Sequence, residues 1–171
     1  MINYNLSFKY ALYGSVLGFV VLLLLLFSGN SPWSSASWMG AWIPGITAYF
    51  AMKTYALEEQ ESQVLYGAVL KRSMLVILFQ AFFYNLMAAV FVYLFSVDAV
   101  DLYQTEMMQN AAQLKTMVGA EMYDQIILEL EKITFTTLAF WDFIYKLIGG
   151  FMVSLILAAI FKKNKPIFDN E

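Results

Sequence analysis

From Tyr10 to Met52 the chain carries not one charged side chain. A helix needs about 20 apolar residues to cross roughly 30 Å of hydrocarbon, so this run is long enough for two crossings. Gly29, Asn30, Ser31 and Pro32, followed by Ser34, Ser35 and Ser37, divide it. Those residues favour turns through a permissive backbone, local side-chain hydrogen bonds and a fixed φ. The pattern predicts one spanning helix over about Leu6–Phe27 and a second over about Trp38–Leu57. Lys53 can snorkel from the inner end of the second, and Pro44 lies close enough to its start to be tolerated. A cleaved signal peptide is the rival for the first helix, because Ser35-Ala36-Ser37 resembles a cleavage site. Its apolar core exceeds the usual 7–15 residues and only Lys9 precedes it, so it is read as a retained span.

Two further stretches have the same character. Ser73 to Val97 is uncharged and forms the third predicted span; the fourth covers about Leu138–Phe161, with Asp142 and Lys146 in its outer third. Trp33, Trp38, Trp42 and Trp141 fall near predicted outer boundaries, where indole rings prefer to sit. Composition agrees with lipid as the solvent. Hydrophobic residues make up 61% and charged residues 13% of the 171, and a soluble domain of this size has too little interior to hide that much apolar surface. The expected fold is therefore all-α: a single membrane domain over residues 1–171 with four transmembrane helices.

Charge predicts the orientation. Lysine and arginine mark cytoplasmic segments. Lys9 lies at the N-terminal flank, Lys53, Lys71 and Arg72 in the second loop, and Lys162, Lys163 and Lys165 in the tail. The long third loop sets Lys115 and Lys132 against Asp98, Asp101, Glu106, Glu121, Asp124, Glu129 and Glu131. Both termini are thus expected in the cytoplasm and residues 98–133 outside, periplasmic in a bacterial inner membrane. That outer segment has its own pattern. Val100, Tyr103, Met107, Ala111, Leu114 and Val118 recur at steps of three and four, Gly119 interrupts, and Tyr123, Ile126, Ile127, Leu130 and Ile133 follow. Two amphipathic helices are predicted, the second able to run on into the fourth span. Their apolar face packs on itself or on the bilayer in the ordinary reading, and docks another protein in the sharper one.

The layout resembles a family, domain of unknown function 4199, small membrane proteins of Bacteroidota. The resemblance covers nearly the whole length. It rests on Tyr13-Gly14 and Gly18, Ala51-Met52-Lys53, Tyr66-Gly67-Ala68-Val69-Leu70-Lys71, and the closing Val153-Ser154-Leu155-Ile156-Leu157-Ala158-Ala159-Ile160-Phe161-Lys162-Lys163. It implies fold and location and supplies no catalytic residues.

The side chains that remain limit function more than they specify it. Cysteine and histidine are absent, which removes thiol chemistry, disulfides, and the commonest general base and transition-metal ligand. No cofactor, metal or nucleic acid partner is expected, and no enzyme activity. Asp142 and Lys146, an acid and a base four apart, face each other on a helix; a local salt bridge in a small wet crevice explains them, and a transport path is the alternative. Gln80 and Asn85 inside the third span suit interhelical hydrogen bonding or a substrate contact. Gly14 with Gly18, and Gly150 with Ser154 and Ala158, form small-residue faces for helix packing, within one chain or between copies. Tail lysines account for themselves by orientation and anionic-lipid attraction, and Glu58, Glu59 and Glu61 read as a solvated loop. The leading expectation is an accessory or structural subunit that binds another membrane protein. A small oligomeric transporter or channel comes second, and an enzyme for lipid-linked substrates last.

Overall fold

A computed structural model describes residues 4–59, 63–95 and 98–163, excluding the side chains of residues 4, 35–36, 110–114 and 116. Glu61, Lys165 and the side chains of Ala111 and Leu114 therefore lie outside the described residues. Six α-helices are described: α1 (Tyr4–Phe27), α2 (Ile43–Glu58), α3 (Tyr66–Phe95), α4 (Ala99–Val118), α5 (Ala120–Glu131) and α6 (Phe135–Phe161). A short 3-10 turn, Ser35–Met39, precedes α2.

Three helices, not the four expected, are long and apolar enough to cross a membrane: α1, α3 and α6. The second predicted span, Trp38–Leu57, fails at its outer half. Trp38 belongs to the 3-10 turn, and α2 starts only at Ile43. Its 16 residues reach about 24 Å at 1.5 Å each. Pro44 sits in the first helical turn, where its missing N–H costs nothing. The serines and Gly40 upstream have no helix-forming periodicity to extend α2 outward.

The four long segments still run antiparallel. Tyr10 Oη and Thr54 Oγ1 lie 2.7 Å apart, pairing the start of α1 with the end of α2. Val64 and Lys163 exchange both backbone hydrogen bonds, tying the start of α3 to the end of α6. This is the terminal end of the bundle; the α4–α5 hairpin marks the other. Helix α3 is central, with α1 and α6 packed along it and α2 lying over the groove between them. Ala48, Ala51 and Met52 from α2 meet Val69, Val76 and Ile77 from α3 and Leu157 and Ala158 from α6, and together they fill the terminal half.

Small residues make the close approaches possible. A Cβ at Gly14 would run into the Gln80 amide, and one at Gly150 into the Ile77 side chain. At Gly18 it would stand 3.1 Å from Tyr84 Cδ2. Ser154 and Ala158 are fully buried on the same face of α6 as Gly150. All five small positions thus pack inside one chain.

Two boundaries move. Helix α3 begins at Tyr66, so Lys71 and Arg72 lie within it and not in a loop. Helices α5 and α6 are separate, because the chain breaks helix at Lys132–Thr134 and Thr134 Oγ1 caps α6 by accepting from Thr137 N at 3.3 Å. Gly119, at φ +84°, joins α4 to α5 with a backbone that L side chains resist.

Candidate functional site

Because α2 starts late, the groove between α1 and α6 has no helix over it in the hairpin half. A cavity of about 1210 Å³ occupies that space, larger than the roughly 300–1,000 Å³ of an ordinary small-molecule pocket. One wall is α1, through Gly18, Val21, Leu22 and Leu25. The irregular stretch before α2 supplies Ser37, Trp38, Gly40 and Ala41, and the first turn of α2 adds Ile43, Pro44 and Gly45. Gly40 brings this backbone against α1, where a Cβ would be 3.5 Å from Val21 Cγ1. Helix α3 contributes Gln80 and Tyr84, and α6 the opposite wall from Leu138 to Val153.

The outer amphipathic stripe forms the roof. Tyr123, Ile126, Ile127, Leu130 and Ile133 all line the cavity, joined by Tyr103 and Met107 from α4. Gln104 Nε2 donates to Leu130 O at 2.9 Å and holds the hairpin closed on itself. Trp33, packed edge-on against Phe135 with ring centroids 5.5 Å apart, pins the rim. Burial, with Tyr145 and Glu106 close by, pushes the Tyr103 phenol above its ordinary value, so that hydroxyl remains a neutral donor and acceptor in the roof.

Asp142 and Lys146 are the charged groups of the α6 wall. They form an ion pair with side chains about one-fifth exposed. Asn85 Nδ2 donates to the same carboxylate oxygen, Oδ2, at 3.3 Å, and also to Ala81 O at 3.0 Å. The Lys146 ammonium lies 3.9 Å from the centroid of the Tyr84 ring, close enough for a cation–π contact. Deeper, Thr47 Oγ1 donates to Gln80 Oε1 at 2.6 Å, and Ser15 Oγ donates to Gln80 O at 3.0 Å. The four polar residues singled out from the sequence are therefore brought together: Gln80, Asp142 and Lys146 line one cavity and Asn85 braces the pair from behind.

What sequence reasoning missed is the aromatic and backbone wall. No periodicity marks Ser37, Trp38, Gly40 and Ala41 as cavity-lining, since they precede α2 in an irregular stretch. It also placed Arg72 in a loop. The structure buries it in α3, 7% exposed, with its guanidinium carbon 3.8 Å from the centroid of the Tyr55 ring and its Nε without a hydrogen-bond partner. Among the described residues no group of three or more acids stands close enough to hold a metal ion.

Fold and cavity define a class: a helical bundle with three helices of membrane-spanning length and apolarity, around a largely apolar cavity lined by the Asp142–Lys146 pair and by Glu129. The chain belongs to the family described as protein of unknown function (DUF4199), whose model matches residues 9–163. No curated protein and no solved structure matches it.

Proposed function

We propose that the protein is a membrane-embedded binding protein for an amphiphile, with no catalytic role of its own. The cavity carries this reading: a wide apolar wall in which the Asp142–Lys146 pair, Glu129 and a few hydroxyls and amides can orient a polar head. Its termini lie in the cytoplasm in this reading and the hairpin roof faces outward, in line with the distribution of lysines and acids. Irregular backbone at membrane depth is tolerated only where protein buries it or a cavity receives it, and Ser37, Trp38, Gly40 and Ala41 line this one. The carboxylate of Asp142 is committed to Lys146 and Asn85, which suits recognition better than proton transfer. The packed terminal half favours a binding site open at one side over a channel.

Spin-labelled stearate tests this directly. In nanodiscs the wild-type protein should give a saturable, motionally restricted component beyond that of the bilayer. Ile127→Asp, which puts a charge in the roof, should remove it, and Asp142→Asn with Lys146→Met should weaken it. An identical restricted component in both variants would rule the cavity out as the binding site.

A second reading is an accessory subunit. Trp141, Tyr145, Ile148, Met152 and Ile156 form an exposed stripe along α6, at the three- and four-residue steps of a helix-docking face. A photo-crosslinker at Ile148 in intact membranes should then give one discrete protein adduct; lipid adducts alone would count against it.

A further inference from the structure

We propose that Arg72 and Lys163 form a phosphate-binding site at the terminal end of the bundle, independent of the cavity at the other end. Arg72 sits inside α3 with only 7% of its surface exposed. The Tyr55 ring covers one face of its guanidinium, and Tyr55 is itself buried at 6% exposure. Among the described residues nothing accepts a hydrogen bond from its Nε, and no carboxylate pairs with it: the ion pairs there are Lys132 with Glu129 and Lys146 with Asp142. Arginine cannot shed its proton to escape burial. A buried cation with only an aromatic face for a partner is unfavourable, so an anion is the element that the described residues do not supply.

A second cation belongs to the same end of the bundle. Lys163 Nζ donates to Ala56 O at 3.1 Å, in the same turn of α2 that carries Tyr55. The paired backbones of Val64 and Lys163 hold that lysine beside the start of α3. Side chains on a helix lean toward its N-terminus, so Arg72 reaches back toward this rim. The negative end of the α2 dipole accounts for some of the attraction to both cations, but Ala56 O is taken by Lys163, and among the described residues no carbonyl accepts from the guanidinium. Its planar fork suits two oxygens of one phosphate. Nε is the buried atom of the group, so the two terminal nitrogens are the edge that a phosphate would meet, with Lys163 adding charge from the same end. The phosphate belongs to an anionic lipid headgroup or to a free phosphate, and the experiment separates these.

Delipidated full-length protein would be titrated with dioleoyl phosphatidylglycerol, dioleoyl phosphatidylcholine and inorganic phosphate, following thermal unfolding and bound lipid by native mass spectrometry. A lipid site predicts preference for phosphatidylglycerol that inorganic phosphate does not displace. A free-phosphate site predicts stabilisation by inorganic phosphate alone. In either case Arg72→Gln weakens binding by about tenfold to a hundredfold, the range for a charge-assisted hydrogen-bonded contact, and abolishes the stabilisation by ligand. Arg72→Lys, which keeps the charge and loses the fork, falls between, and Lys163→Gln gives a smaller loss. These two variants serve if Arg72→Gln does not fold. Failure of both phosphate probes to bind, or equal binding by wild type and variants, overturns the site; a fall in unfolding temperature that is the same with and without ligand makes Arg72 purely structural.

Discussion

At the scale of single residues, two neighbouring glycines separate packing from permissiveness. Gly150 abuts Ile77, whose Cβ would be 3.2 Å from an added methyl, whereas Gly149 has nothing within 4 Å. Gly150→Ala should cost about 1–3 kcal/mol by overpacking against a stiff β-branched side chain. Gly149→Ala should be neutral or gain up to about 1 kcal/mol from helix propensity. Thermal unfolding in detergent compares them, and equal melting temperatures would contradict the packing at α3. The charged pair gives a second residue-level expectation. Removing either partner alone strands a poorly exposed charge at about 3–5 kcal/mol. Asp142→Asn and Lys146→Met should therefore each destabilise more than the double variant. Simple additivity across that cycle would show the two groups to be independent.

At the scale of elements, the hairpin and the bundle are held by different interactions. Helices α4 and α5 pack chiefly on each other, with Gly119 as their joint at φ +84°. Gly119→Ala should strain the turn by roughly 1–3 kcal/mol, the cost of a positive-φ, extended-ψ backbone that is nearly exclusive to glycine. Hydrogen exchange checks this: α4–α5 amides should exchange faster while α1, α3 and α6 keep their protection. Uniform loss of protection would mean that roof and bundle unfold as one unit. The stripe from Tyr123 to Ile133 was legible beforehand as amphipathic, and so was the break at Gly119. Its destination was not, because an apolar stripe is satisfied by a partner helix, a lipid surface or a cavity alike.

For the whole molecule, the bilayer is the decisive variable. Three helices carry long apolar faces that remain exposed on the isolated chain; lipid would cover them. The absence of cysteine from the sequence makes topology easy to measure. Single cysteines at Asp124 and at Lys162 should label from opposite sides of sealed cells, Asp124→Cys from outside and Lys162→Cys only after permeabilisation. Labelling of both from one side would contradict the proposed orientation and take the hairpin roof off the outward side.

Much of the architecture follows from local chemistry. Uncharged runs, tryptophans at their edges and a glycine-broken outer stripe need no partner to be recognised, since each reports on its own length, period or solvent. The second span was misjudged for the same reason: residues 38–42 are apolar enough for lipid, and hydropathy does not distinguish a helix from irregular backbone. Only packing determined that α2 would start at Ile43, that the vacated space would become a cavity, and that Gln80, Asn85, Asp142 and Lys146 would converge on it. Arg72 is the plainest case. Its sequence context next to Lys71 reads as a surface charge, and burial against Tyr55 is a property of two helices meeting, which neither helix carries alone.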